Sequence, residues 1–301
     1  MNERYSPMPP NFVGVTGLPR AGSTLLCQLL AHHPDIHCDG HSSPLCNTLL
    51  GIRRMVSDDS FFLSQLDNAF DASYGHLVSA MQGFLRSWHH DCAKSTVVDK
   101  NRAWLHAVEL LLHIEPEARL IVCLRELGQI YGSIEAQHQR TIAVDFIDHL
   151  ADFDRFGRAD MLFAKDKAIG APLTSVQAVL DLPRRVQERL YFVRFEDLME
   201  RPVATMSHIY AWLGLPPFEI APGKLQIGVR ESDSHYRMKY LHKQTDRVVK
   251  PARHEVPARI QAQIESACAW YYQLYYPGMA QLPATGTPPG ATVAGTVKTR
   301  D

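Results

Sequence analysis

Residues 11–31, NFVGVTGLPRAGSTLLCQLLA, constrain this chain more than any other stretch. Residues 11–16 form a short apolar run that ends on Gly17 and reads as a buried strand. Residues 22–31 place Leu25, Leu26, Leu29 and Leu30 at helical spacing, and between the two lies the turn GLPRAG. A strand that feeds a tight glycine turn and then a helix commits the chain to an α/β arrangement, because the helix must pack back on the sheet. The rest of the sequence continues the alternation. Residues 96–99 read as a second strand, 102–114 as an amphipathic helix closed by Pro116, 119–124 as a third strand and 127–139 as a helix. A fourth strand is expected at 190–194, a helix at 202–213 ended by Gly214, and a last helix at 257–275. Residues 43–93 and 142–189 read as helical, the second stretch broken near 170–172, and 219–256 as irregular. The expected fold is a P-loop NTPase-like three-layer α/β domain, a central parallel sheet covered on both faces and carrying helical insertions. Ligands of such sheets bind at the carboxyl ends of the strands.

The phosphate-loop frame G-x-x-x-x-G-K-[ST] is present in GLPRAGST, Gly17 to Thr24, with one departure: Ser23 stands where the lysine belongs. Glycines permit the tight turn, and the open amides at the helix N-terminus cradle a phosphate. A kinase or ATPase needs that lysine on the β- and γ-phosphates and an acid at a second strand end for Mg²⁺. Here the strand RLIVCL runs into Arg125 instead. The site therefore reads as a phosphate pocket that uses no metal, with Arg20 and Arg125 supplying the positive charge through charge-assisted hydrogen bonds.

Bulk properties narrow the field further. Lys plus Arg is 31 against 32 for Asp plus Glu, which argues against a nucleic-acid partner. No run of 18 apolar residues exists, so neither a membrane span nor a membrane partner is expected. The opening MNERYSPMPPNF lacks the apolar core of a signal peptide. The six cysteines, Cys27, Cys38, Cys46, Cys92, Cys123 and Cys268, form no C-x-x-C pair and read as reduced thiols of a cytoplasmic protein. His32, His33, His37, Cys38 and His41 lie close together, but their spacing matches no standard metal-ligand pair. Residues 1–279 are expected to form one domain. Residues 280–301, small and rich in Pro and Gly, are expected to form a disordered tail. Nothing in the pattern specifies an oligomeric state.

The loop PRAGST resembles the 5′-phosphosulfate loop of the sulfotransferases that use 3′-phosphoadenosine-5′-phosphosulfate (PAPS), whose usual form is P-R-[SA]-G-[ST]-T. VCLRELGQIYGSI is similar to their 3′-phosphate segment, an Arg at a strand end followed eight residues later by a Ser, here Arg125 and Ser133. The block YFVRFEDLMERPVATMSHIYAWLGLP resembles the strand and helices that follow in the same family. VVDKNRAW is similar to a segment of bacterial members, and TDRVVKP to a late loop of the tyrosylprotein branch that donates a Lys to the cofactor. The resemblance covers about residues 11–255 and implies a bacterial-type PAPS-dependent transferase. It implies that Arg20, Ala21, Gly22, Ser23 and Thr24 hold the 5′-phosphosulfate and that Arg125 and Ser133 hold the 3′-phosphate. Lys250 would reach a phosphate, and Phe195 would stand where the family often has a Tyr near adenine. In the tyrosylprotein branch a second Arg follows the Ser by four positions. Gln137 stands there in this chain, which leaves the 3′-site either less charged or dependent on another basic residue.

Sulfuryl transfer passes an SO₃ group in line between two oxygens, so catalysis is positioning and charge stabilisation. Lys100 ends the expected strand TVVDK and is the candidate cation for the bridging oxygen, with Arg20 assisting. For the base that takes the acceptor's proton the candidate is His41, in the loop after the first helix, near where the tyrosylprotein branch places a catalytic Glu. Asp39 is the alternative. The acceptor stays open among peptide tyrosine, a sugar hydroxyl, an amine and a small phenol. Two other readings also stay open at this stage: a P-loop kinase with a degenerate loop, and a non-catalytic binder of the product nucleotide PAP.

Overall fold

The computed structural model describes residues 11–145, 147–227 and 244–279. Five parallel strands form its central sheet: β1 (Asn11–Gly17), β2 (Ile36–Ser42), β3 (Thr96–Lys100), β4 (Arg119–Leu124) and β5 (Leu190–Arg194), in the order β2-β3-β1-β4-β5. The helices in chain order are α1 (Ser23–Leu30), α2 (Leu45–Ser57), α3 (Ser60–Trp88), α4 (Val108–Ile114), α5 (Leu127–Arg140) and α6 (Arg155–Phe163). They continue as α7 (Gly170–Ala178), α8 (Arg184–Gln187), α9 (Phe195–Glu200), α10 (Pro202–Leu213), α11 (Ala258–Ala267) and α12 (Ala269–Tyr275). Strands buried on both faces read as largely apolar runs; β1, β4 and β5 have that character, and β3 is equally buried but ends on Asp99 and Lys100.

Chain order reverses beside β1. The chain leaves β1 for β2, returns through β3, and then crosses to β4 on the other side. The carboxyl ends of β3, β1 and β4 thus open on one crevice, where sheets of this kind bind ligands.

Four readings need correction. The strand β2, IHCDGHS, was not expected, so the strand at Thr96–Lys100 is the third and His41 lies in β2 rather than in a loop. Its edge position pairs it on one side only, and its polar residues hide the pattern. The helix expected over 102–114 is a 3₁₀ turn at Arg102–Trp104 followed by α4, because the Asn101 side chain accepts from Ala103 N at 2.9 Å and starts a separate cap. The break expected near 170–172 falls earlier. Gly170 opens α7, with Pro172 in its first turn, where proline is tolerated. The last helix divides at Cys268 into α11 and α12. Phe195 opens α9, directly after β5. The tail expected at 280–301 lies outside the described residues.

Two polar devices fix the helices around the crevice. Glu126 caps α5, accepting from Gly128 N at 2.9 Å and Gln129 N at 2.8 Å, and it also accepts from Tyr272 Oη and Gln261 Nε2. One carboxylate thus ties α11 and α12 to the start of α5. On the far face of α5, Glu135 is 3% exposed and accepts from Arg158 Nε and Nη2 at 2.8 and 2.7 Å, which joins α5 to α6.

Candidate active site

The turn between β1 and α1 is held in an uncommon conformation. Arg20 has φ 59° and Gly22 has φ 84°, both left-handed, the first in a residue that rarely adopts it. This backbone lets Arg20 O accept from Arg125 Nη1 at 2.9 Å, while Arg20 Nε donates to Ser133 Oγ at 3.1 Å. The loop, the end of β4 and the middle of α5 are therefore locked to one another. No side chain caps α1, so the amides of its first turn face the crevice mouth and suit an anion.

The crevice is a cavity of about 360 Å³. Gly17, Arg20, Gly22, Ser23 and Thr24 line it from the loop, Lys100 and Arg102 from the end of β3 and beyond, and Arg125 from the end of β4. Ser133, Gln137 and Arg140 line it from α5, Phe195 from α9, and Pro251 and His254 from the segment 244–257. Five cations and no carboxylate belong to the described lining.

Lys100 and Asp99 show how strand alternation sorts the chemistry. Neighbours on a strand face opposite sides. Lys100, 6% exposed, enters the cavity and donates to Thr24 Oγ1 at 3.2 Å and Gly40 O at 3.0 Å. Asp99 faces away and accepts from Ser43 Oγ and from Trp104 Nε1 at 2.6 Å. Burial raises the Asp99 carboxyl pKa, and these donors pull it back. It therefore anchors the segment that follows β2 and contributes nothing to the lining.

Gly40 owes its place to a bulge. Cys38 pairs with Val98 and Ser42 with Lys100, so three residues of β2, Asp39, Gly40 and His41, stand opposite Asp99 alone. The surplus bows the edge strand outward. It turns Gly40 O onto Lys100 and leaves His41 exposed beside the cavity rather than in its lining. Asp39 is exposed as well and pairs with His37 at 3.2 Å.

Arg125 is 7% exposed, and burial draws its pKa below the ordinary arginine value, opposed by Glu196. Its guanidinium carbon lies 4.5 Å from the centre of the Phe195 ring, a cation–π stack. Arg125 Nε is buried with no hydrogen-bond partner among the described residues. Phe195 also covers Gly22 closely, since a Cβ on that glycine would lie 2.6 Å from Phe195 Cδ2.

The remaining expected residues fall outside. Ala21 is buried beneath the loop without lining the cavity. Lys250 is exposed and donates to Glu200 at 2.7 Å, while its neighbour Pro251 lines the cavity instead. The chain has lining residues that the sequence reading missed, Ser42, Arg102, Arg140 and His254, and Gln137 lines it where the resemblance put it, four positions after Ser133. A signal existed for Arg140, which stands seven residues after Ser133 on the same helical face. No signal existed for His254, which reaches the site through a segment without periodicity.

A family model described as "Sulfotransferase family" matches residues 12–219. Nodulation protein NoeE of Sinorhizobium fredii is 25% identical over 242 residues, covering 72% of this chain and 53% of NoeE. Protein-tyrosine sulfotransferase 1 of Danio rerio is 26% identical over 294 residues, covering 93% of this chain and 76% of that protein. The chain thus spans about half the length of NoeE. Among solved structures, the sulfotransferase domain from the curacin biosynthetic pathway aligns with 86% of this chain and 98% of its own, at 16% identity and a TM-score of 0.49. Retinol dehydratase in a complex with retinol and PAP aligns with 93% of this chain and 85% of its own, at 10% identity and a TM-score of 0.43. With the loop, the strand-end arginine and the helix serine joined in one cavity, and a family match across well over half of its length, the chain belongs to the sulfotransferase family.

Proposed function

We propose that this chain is a PAPS-dependent sulfotransferase acting on a hydroxyl or amine acceptor, with the crevice above β3, β1 and β4 as its donor site. The observation that carries the reading is a lining of five cations without a carboxylate, arranged around a phosphate loop. The residues present fit the nucleotide. A buried guanidinium atom of Arg125 lacks a partner, an uncapped helix start faces the same space, and Gly22 leaves room where a Cβ would collide. When bound, PAPS supplies a sulfuryl group whose transfer to an acceptor oxygen or nitrogen leaves PAP.

The loop amides, Ser23, Thr24 and Arg20 hold the 5′ end, and Arg125 and Ser133 hold the 3′ end, with Phe195 stacked on Arg125 as an apolar wall. Lys100 stands between Thr24 and Gly40, where its ammonium would offset negative charge developing on a donor held in the cavity. Its attachment to the bulge links that cation to the segment bearing His41. His41 receives the acceptor's proton from beside the cavity mouth, with Asp39 as the alternative. Lys250 reaches a phosphate only by leaving Glu200.

A kinase reading is not favoured, because the described lining offers no acid for Mg²⁺ and Asp99 is committed to Ser43 and Trp104. The non-catalytic reading is not favoured either, since Lys100 and Arg20 both line the donor cavity. The acceptor is a peptide tyrosine, a sugar or a small molecule. All six cysteines are free thiols, which supports placing the protein in the cytoplasm. No helix among the described residues is long and apolar enough to cross a membrane.

Calorimetry with PAP in the absence of Mg²⁺ tests the donor site. Binding is expected, and Arg125→Ala is expected to weaken it by about tenfold or more, the worth of a charge-assisted contact. A labelled-PAPS screen against cell extract then identifies the acceptor, and His41→Ala is expected to abolish transfer while PAP still binds. Absence of PAP binding removes the reading.

A further inference from the structure

The cavity holds more charge at its far end than Arg125 and Ser133 supply. Ser133, Ala136, Gln137 and Arg140 all line it, at positions i, i+3, i+4 and i+7 of α5. Those four positions share one helical face. Long side chains on a helix lean toward its N-terminus, so Arg140 is built to reach back over Gln137 toward Ser133. Arg140 is exposed and makes no hydrogen bond or ion pair with any described residue.

The facing wall is the segment 244–257. His254 is fastened there by its main chain: its N–H donates to Gln129 Oε1 at 2.8 Å, and its carbonyl accepts from Gln129 Nε2 at 3.0 Å. The segment lies close on α5 because residue 132 is a glycine, at which a Cβ would be 2.6 Å from His254 Cβ. The imidazole itself has no hydrogen-bond partner among the described residues, and it lines the cavity. Arg20 from the loop, Arg125 from the end of β4 and Arg140 from α5 line the cavity with it, and Arg253 and Glu255 flank it on its own segment. Burial, then Arg125 and Arg20, hold its pKa below the ordinary histidine value. The surroundings thus favour its uncharged form, and a phosphate placed between it and the arginines would reverse that bias.

We propose that Arg140 and His254 complete the 3′-phosphate subsite, Arg140 supplying the charge that Gln137 does not, and His254 taking up one proton as the nucleotide binds. The inference rests on the PAPS reading of the cavity. Affinity for a nucleotide with a 3′-phosphate then gains a term that grows as pH falls through the neutral range. The phosphate's own second ionisation, near pH 6, acts in the opposite direction. The informative quantity is therefore the difference between wild type and a His254 variant at each pH.

The test titrates the full chain with PAP and with AMP, which lacks the 3′-phosphate. Each titration is run at about pH 6.5, the ordinary histidine pKa, and at about pH 8, well above it, in two buffers of different ionisation heat. Arg140→Ala is expected to weaken PAP about tenfold and AMP by less than about twofold, as loss of one charge-assisted contact at the 3′ end requires. His254→Gln, which keeps both main-chain bonds to Gln129, is expected to remove the proton uptake of PAP binding, so that its buffer-dependent heat differs from wild type by about one proton's worth and only the phosphate's own contribution remains. If wild type binds PAP while both variants bind it unchanged, or if Arg140→Ala weakens AMP and PAP equally, the subsite assignment is overturned. Proton uptake that persists in His254→Gln overturns the role of the histidine. Failure of wild type to bind PAP overturns the donor reading along with it, a result distinct from the others.

Discussion

Lys100 and Asp99 are adjacent in sequence and opposite in purpose. A strand terminus at the ligand edge of a parallel sheet made Lys100 legible from sequence, because that edge is where such sheets place their chemistry. Arg125 was legible on the same ground, as a strand-end arginine, whereas Ser133 was legible only through the resemblance of VCLRELGQIYGSI to the family's 3′-phosphate segment; the cavity includes both. Lys250 and His41 stand outside the lining, and His41 lies in β2 rather than in a loop. An exposed lysine takes whatever acid is near, here Glu200, and no spacing rule reports a bulge that carries a histidine outward. Lys100→Met substitutes an apolar chain of similar length at a buried position and removes the donor to Thr24 and Gly40. Turnover is expected to fall about a hundredfold or more, the usual loss for a preorganised charge at a reacting oxygen. PAP affinity is expected to change far less, and steady-state kinetics beside PAP titration separates the two.

At the scale of elements, four of the five strands and the phosphate-loop helix were readable because burial on both faces writes itself as apolar runs. β2 was hidden because an edge strand with a bulge obeys neither an apolar run nor strict alternation. The segment 244–257 was read as irregular, and its role as a cavity wall comes from contact with α5 rather than from any pattern of its own. Gly132 is the test of that contact. Alanine there favours the helix by about 1 kcal/mol, while overpacking against His254 costs about 1–3 kcal/mol. The structural penalty therefore wins or nearly cancels, and it falls on the segment rather than on α5. Gly132→Ala is expected to fold, to shift Tm little, and to lose PAP affinity with faster proteolysis within 244–257. Unchanged PAP affinity would show that the segment is not part of the donor site.

At the scale of the whole molecule, the Glu135–Arg158 pair makes stability depend on pH. Burial raises the Glu135 carboxyl, but hydrogen bonds from Arg158 and Gln139 outweigh it, and the net direction is below the ordinary value of 4.5. A depressed carboxylate stabilises the fold above its unfolded pKa, and the contribution is lost as pH falls through the folded one. Denaturant melts are therefore expected to show a midpoint that drops in acid below about pH 4.5, with a shallower drop in Glu135→Gln. At neutral pH the same variant leaves Arg158 buried without its charge partner and is expected to lose about 3–5 kcal/mol. The bulge in β2 carries a second whole-molecule consequence. A strand at the rim of a sheet offers its backbone to any other chain, yet here the rim is interrupted by a bulge of three residues opposite one, which bears Asp39 and His41. The irregularity that aims one carbonyl at Lys100 also breaks the straight edge on which a neighbouring chain could stack, so the fastening of Lys100 and the interruption of the rim come from the same three residues.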